Sequence, residues 1–296
     1  MSFSATSSST DTGSMPVGMV HTVADLRRQV GDWRKAGKRI ALVPTMGALH
    51  AGHVALMEAA SRQADKVVLS IFVNPTQFAP TEDLSRYPRT LEADLAKAQG
   101  AGVALAFVPS AADMYPDGFC TTISLAGPAL GLETDFRPTH FAGVATVVAK
   151  LLIQVAPDVA LFGEKDYQQL AVVSQLARDM DLPVTILGVP TVREADGLAL
   201  SSRNVYLSPA ERANAPALHR ALTQAAHAIA GGAEPALAVE AARAQVIAAG
   251  FALDYLELRH ARTLAPVAAA TDGPLRLLVA ARIGTTRLID NIPVPL

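Results

Sequence analysis

One cysteine, Cys120, stands in 296 residues. The chain therefore has no internal disulfide, and a thiolate metal cluster within one chain is excluded. That usage fits a reducing compartment, so a cytoplasmic location is expected. Neither charge sign dominates: 25 Lys and Arg stand against 27 Asp and Glu, a formal net charge of -2. A general nucleic-acid surface needs a basic excess, so no nucleic-acid partner is expected, although a local patch is compatible with the sum. No apolar run reaches the roughly 18–20 residues that span a bilayer, and no membrane partner is expected. Residues 1–20 are rich in Ser, Thr and Gly, carry only Asp11 as a charge, and lack the basic-then-apolar order of a secretory signal. They read as a disordered leader. No internal repeat is found.

What is present is apolar bulk. Half of the residues are hydrophobic, ample for a packed core, and the length calls for one large or two moderate domains. Val23, Leu26, Val30 and Trp33 recur at helical steps within 22–38. Strand-like runs at 39–44, 66–73, 103–108, 158–162 and 183–189 alternate with helical stretches at 54–64, 91–99, 143–155 and 166–180. That alternation predicts an α/β fold, a parallel sheet covered on both faces, spanning 21–191. Beyond it, Ala-rich helices at 208–230 and 233–249 precede strand-like runs at 253–258, 275–281 and 286–292. These predict a smaller α+β C-terminal domain over 192–296.

The strongest local signal lies between the first long strand and the next helix: Met46, Gly47, Ala48, Leu49, His50, Ala51, Gly52, His53. Its core is His-x-Gly-His. Glycines let a backbone pass close to a nucleotide, and the helix start offers free N–H groups to phosphate. Two imidazoles there suit hydrogen bonds to a departing pyrophosphate. The same residues also suit a tight turn with two capping histidines. Gly163, Glu164, Lys165 and Asp166 follow another strand and open a helix; they fit a phosphate or ribose contact, or a plain helix entry. Ser201, Ser202 and Arg203 near the expected boundary suit a triphosphate clamp, or an ordinary polar loop. Asn74 and Gln77, between Phe72 and Phe78, offer amides to a polar ligand, and Asp94 offers a carboxyl to Mg²⁺. The run 136–143 fits an anion contact or a capped helix entry.

The His-x-Gly-His turn resembles the signature of the nucleotidyltransferase superfamily, a resemblance that implies a Rossmann-like nucleotide-binding domain and adenylate chemistry. Taken together, PTMGALHAGH at 44–53, SIFVNPTQF at 70–78, YPRT at 87–90, RPTHFAGVATVV at 137–148, FGEKDYQQL at 162–170, VREADGLALSSRN at 192–204 and GTTRLIDN at 284–291 resemble the pantothenate synthetase (pantoate–β-alanine ligase) family. The likeness runs from about His21 to the end. It implies that pantoate attacks ATP to give pantoyl adenylate and pyrophosphate, and that β-alanine then displaces AMP. It places ATP on Met46–His53, Gly163–Asp166, Val192 and Leu200–Arg203, with His53 as proton or hydrogen-bond donor and His50, Lys165 and Arg203 assisting. It gives pantoate and β-alanine to Gln77 and Gln169 with Asn74, and suggests Mg²⁺ near Asp94 and a homodimer. Leu200 stands where the family often has Met, and Ala93 where relatives can carry a second acid. The competing expectations are a nucleotidyltransferase acting on a phosphorylated small molecule and a non-catalytic nucleotide- or RNA-binding relative.

Overall fold

The computed structural model describes residues 17–79, 82, 84–267 and 269–295. The first part of the chain runs β1 (Gly18–Val20), α1 (Val23–Lys35), β2 (Ile40–Thr45), α2 (Ala51–Ser61), β3 (Lys66–Ile71), α3 (Leu91–Gly100) and β4 (Leu105–Phe107). Two short helices, α4 (Ala111–Met114) and α5 (Glu133–Phe136), precede α6 (His140–Val155), β5 (Val159–Gly163), α7 (Tyr167–Asp179) and β6 (Thr185–Val189). The strands form one parallel sheet in the order β1-β4-β3-β2-β5-β6.

Alternation along the strands feeds two cores. In β2, Ile40 and Leu42 join Leu26 and Val30 of α1 and Val144 and Val148 of α6. Ala41 and Val43 join Leu56, Met57 and Ala60 of α2 on the opposite face. A one-residue slip would exchange these sets, so packing fixes the register. The order also places a switch point between β2 and β5, where successive strands depart in opposite directions. Crevices at the carboxyl ends of such neighbours are where open α/β sheets take ligands.

The expected leader needs correction at its end. Residues 1–16 lie outside the described residues, but Gly18–Val20 pair in parallel with Leu105–Phe107 as an edge strand. Three residues are too short to show a period, and a Cβ at Gly18 would press on Leu105 at 3.2 Å. The helix expected over 208–230 is two, α8 (Pro209–Asn214) and α9 (Ala217–Ala230). Pro216 separates them, having no N–H to continue the ladder.

After α10 (Pro235–Ala248) the chain forms an antiparallel sheet of β7 (Ala252–His260), β8 (Leu275–Ile283) and β9 (Thr286–Pro293). One face packs on α9 and α10 through Leu222, Val246, Leu256, Leu277 and Val279. The other face sets Tyr255, Leu278 and Ala280 against Leu132, Tyr167 and Ala171 of the first part. Polar staples reinforce that junction. Arg287 holds both oxygens of Glu133 at 2.8 Å, and Asn291 Nδ2 donates to the carbonyls of Glu164 (2.9 Å) and Lys165 (2.8 Å).

Candidate active site

The turn after β2 is built from within and from behind. Gly47 (φ +81°) and Ala48 (φ +50°) both take the left-handed region, the second at a steric cost for a residue with a Cβ. His50 caps α2: its Nδ1 accepts the Gly52 N–H at 3.1 Å, while His53 Nδ1 accepts the His50 N–H at 3.2 Å. A Cβ at residue 52 would stand 2.9 Å from the His50 ring, so only glycine lets that ring fold over the helix start. The His-x-Gly-His spacing is thus a local geometric requirement.

Because both Nδ1 atoms accept, each neutral ring carries its proton on Nε2. The rings lie 4.1 Å apart between centroids and line the crevice. Burial pushes His53 down to about 3, helped by His50, Lys165 and Lys97. His50 falls to about 4, chiefly by burial and then by Lys165, with Asp166 opposing. At neutral pH the pair offers neutral N–H donors, so donation of a hydrogen bond suits His53 better than delivery of a proton from an imidazolium.

The same shifts bear on stability. His50, His53 and the buried His140, also lowered to about 4, exclude protons on folding relative to the ordinary value of 6.5. In the unfolded chain they bind protons first, so stability is greatest above about 6.5 and declines as pH falls from about 6.5 towards 4. Urea unfolding at pH 7.5 and pH 5 will show the lower midpoint at pH 5; equal midpoints would contradict the shifts.

Asp94, expected on a metal, has another task. It is 1% exposed, and its two oxygens accept the N–H groups of Ala48 (3.0 Å) and Leu49 (2.8 Å), with Thr90 Oγ1 adding a third contact at 3.2 Å. No group of three His, Cys, Asp or Glu side chains arranged for a metal occurs among the described residues. The described residues thus do not build a protein cage for Mg²⁺. Leu49 packs its side chain into the core, and Glu164 pairs with Arg276 at 2.9 Å. Neither borders the two cavities described below, nor do Gly47, Ala48 and Ala51.

The crevice that receives the imidazoles has a volume of about 230 Å³ and is also bounded by Met46, Gly163, Lys165, Val192 and Leu200. A Cβ at Gly163 would meet open space, which is the room a ligand needs for close approach to the strand end. Asp166, Gln169, Ser201 and Arg203 line both this crevice and a second cavity of about 420 Å³ between the two sheets; Ser202 lines the first. The sequence-predicted clamp and the turn therefore face one continuous cleft.

On its far side the amides are oriented. Asn74 is 1% exposed and fully used: Nδ2 donates to Gln77 Oε1 (3.0 Å) and to the Gly143 carbonyl (3.2 Å), while Oδ1 accepts from Tyr115 and Thr76 hydroxyls. Asn74, expected to touch substrate, borders the crevice and also fixes Gln77. With its oxygen held, Gln77 presents Nε2–H beside Met46 Sδ at 3.4 Å, a donor suited to a carboxylate or hydroxyl oxygen. Gln169 lines the cleft, whereas its neighbour Gln168 is buried and bonded to the carbonyls of Pro128 and Gly131.

Arg137 and His140 were left undecided by the sequence and line both cavities. His140 Nδ1 donates to the Gln77 carbonyl at 3.0 Å, so its Nε2 accepts from Arg137 at 3.2 Å. Arg137 also grips both oxygens of Glu82 at 2.6 and 2.9 Å. The signal for them was the mixed aromatic, basic and Gly run at 136–143, which leads into α6.

A family model described as Pantoate-beta-alanine ligase matches residues 18–293. Pantothenate synthetase from a Bradyrhizobium species is 60% identical over 277 residues, 93% of this chain and 98% of that one. Pantothenate synthetase from Paramagnetospirillum magneticum is 57% identical over 282 residues, 95% of this chain and 99% of that one. The crystal structure of pantothenate synthetase from Thermus thermophilus superposes with a TM-score of 0.89 at 49% identity, covering 95% of this chain and all of that one. A pantoate-beta-alanine ligase from Francisella tularensis, complexed with beta-gamma ATP and beta-alanine, gives 0.80 at 33% identity over 94% and 97% of the two chains.

Proposed function

The chain belongs to the pantoate-beta-alanine ligase family, which condenses pantoate with β-alanine in an ATP-dependent reaction, and we propose that it does so through an acyl adenylate formed in the crevice beside His50 and His53. A carboxylate oxygen of pantoate attacks the α-phosphorus of ATP, and the bond to pyrophosphate breaks. The amine of β-alanine then attacks the acyl carbon, loses a proton, and AMP leaves with the oxygen it shared. The mixed anhydride supplies the leaving group that a carboxylate lacks.

One observation carries this reading: two neutral imidazoles whose Nε2–H groups face a crevice that also holds Lys165 and an oriented Gln77. Donors fixed before the reaction act on charge that develops on the phosphate oxygens, which is the most effective use of a hydrogen bond in catalysis. Lys165 and Arg203 supply positive charge along the triphosphate, with Ser201 and Ser202 beside them. Gly163 and Val192 accept the nucleoside, and Gln77 and Gln169 hold the acid. Magnesium enters as the counter-ion of the nucleotide, and no step depends on a protein-held ion. Segments 21–191 and 192–296 act as nucleotide-and-acid domain and covering domain. The enzyme works in the cytoplasm as a homodimer. Exposed Phe119 and Leu130, flanking an irregular and largely exposed stretch, support a second copy there; a monomeric mass in solution would remove that part.

The deciding experiment is AMP release by the full chain. It is expected to require ATP, pantoate and β-alanine together, with pantoate alone supporting exchange of labelled pyrophosphate into ATP. AMP or pyrophosphate release that ignores pantoate and follows a phosphorylated substrate would establish the transferase instead.

A further inference from the structure

Helix α3 packs against the nucleotide turn, and two of its residues one turn apart reach it. Asp94 takes the N–H groups of Ala48 and Leu49, at 3.0 and 2.8 Å. Lys97, three residues on and so on the same helix face, donates from Nζ to the Leu49 carbonyl at 2.6 Å. Three polar groups of two adjacent residues are thereby held by one rigid element. These are the groups that an α2 beginning at Ala51 leaves outside its own ladder, and Ala48 is held at φ +50°. A left-handed alanine persists only where its surroundings over-determine it.

We propose that Asp94 and Lys97 form a single brace that sets the shape of the nucleotide turn, making Lys97 a positioning residue for adenylate formation although it touches neither ATP nor acid. Lys97 does not line the cleft. Its charge nevertheless reaches both imidazoles, where it acts in the same direction as Lys165 and against Asp166 at His50. The brace therefore serves two ends: it fixes where the His50 and His53 rings begin, and it favours their neutral, donor-bearing form. The catalytic part of this inference rests on the function proposed above; the structural part does not.

The test uses the full chain with Lys97→Met, Lys97→Arg and Asp94→Asn. Lys97 is an exposed residue outside the buried core, so its replacement leaves the core intact. Without nucleotide, Lys97→Met is expected to raise the titration midpoints of both histidine rings read by NMR, and Lys97→Arg to return them towards wild type. Asp94→Asn, which replaces an acceptor by a donor, is expected to speed amide exchange at Ala48 or Leu49 by at least about tenfold. In turnover, Lys97→Met is expected to raise KM for ATP about tenfold while KM for pantoate stays within about twofold, with recovery in Lys97→Arg. Unchanged histidine titration together with unchanged KM for ATP in Lys97→Met would overturn the brace, as would wild-type exchange in Asp94→Asn. If wild type releases no AMP, the functional reading fails, while the exchange and titration arms still decide the brace.

Discussion

His53→Ala will slow pantoate-dependent pyrophosphate exchange by about two to three orders of magnitude, the usual loss when a preorganised donor to transition-state charge is removed. The effect should fall on kcat more than on KM for ATP, because the Nε2–H bond strengthens only as negative charge moves onto the leaving phosphates. A complication is that His53 Nδ1 also accepts the His50 N–H, so alanine removes a helix-start contact of about 1 kcal/mol as well. His53→Asn separates the two. Its Oδ1 keeps an acceptor where Nδ1 stood, while nothing remains at the position of Nε2. The asparagine variant is therefore expected to match wild type in thermal stability and the alanine variant in slowness. Near-wild-type turnover in either would remove His53 from the chemistry.

Gly143→Ala will cut kcat/KM for pantoate by about a hundredfold while KM for ATP changes far less. In an open helix this substitution would stabilise by about 1 kcal/mol. Here a Cβ would lie 2.5 Å from the Thr76 carbonyl oxygen, 2.6 Å from its carbon and 2.7 Å from Gln77 Cα. All three are backbone atoms with no rotamer to yield, so the turn Pro75–Gln77 must move. Gln77 moves with it, and the Asn74 bond to the Gly143 carbonyl stretches. A displacement near 1 Å at a substrate-orienting group costs about a hundredfold in rate, and overpacking of this kind costs about 1–3 kcal/mol in stability. A lower melting temperature in spite of the better helix former would mark the overlap. Unchanged pantoate kinetics would show that Gln77 does not hold the acid.

The parts of this molecule that the sequence made legible are those whose causes lie within a few residues. His50, Gly52 and His53 sit inside one turn of chain, and each constrains the next, so their spacing announces their geometry. The alternation of β2, β3 and β5 with helices likewise follows from burial on both faces of a sheet. What escaped reading depends on contacts between distant segments. Asp94 carries the same carboxyl whether it holds a metal or a peptide N–H, and only the approach of α3 to the turn, 45 residues away from Leu49, decides. Asn74 and Gln77 looked alike as amide donors, yet the Tyr115 hydroxyl and the Gly143 carbonyl occupy one and leave the other available. The break at Pro216 was written plainly in the chain, but the Ala-rich run around it masked the signal.

Asn291, near the end of the polypeptide, grips the carbonyls of Glu164 and Lys165, and Arg276 lies over the Tyr167 ring at 3.7 Å while pairing with Glu164. The loop that carries Lys165 is thus finished by a residue made more than a hundred peptide bonds later. A ribosome emitting this chain completes the strands of the parallel sheet long before the loop that carries Lys165 can be locked.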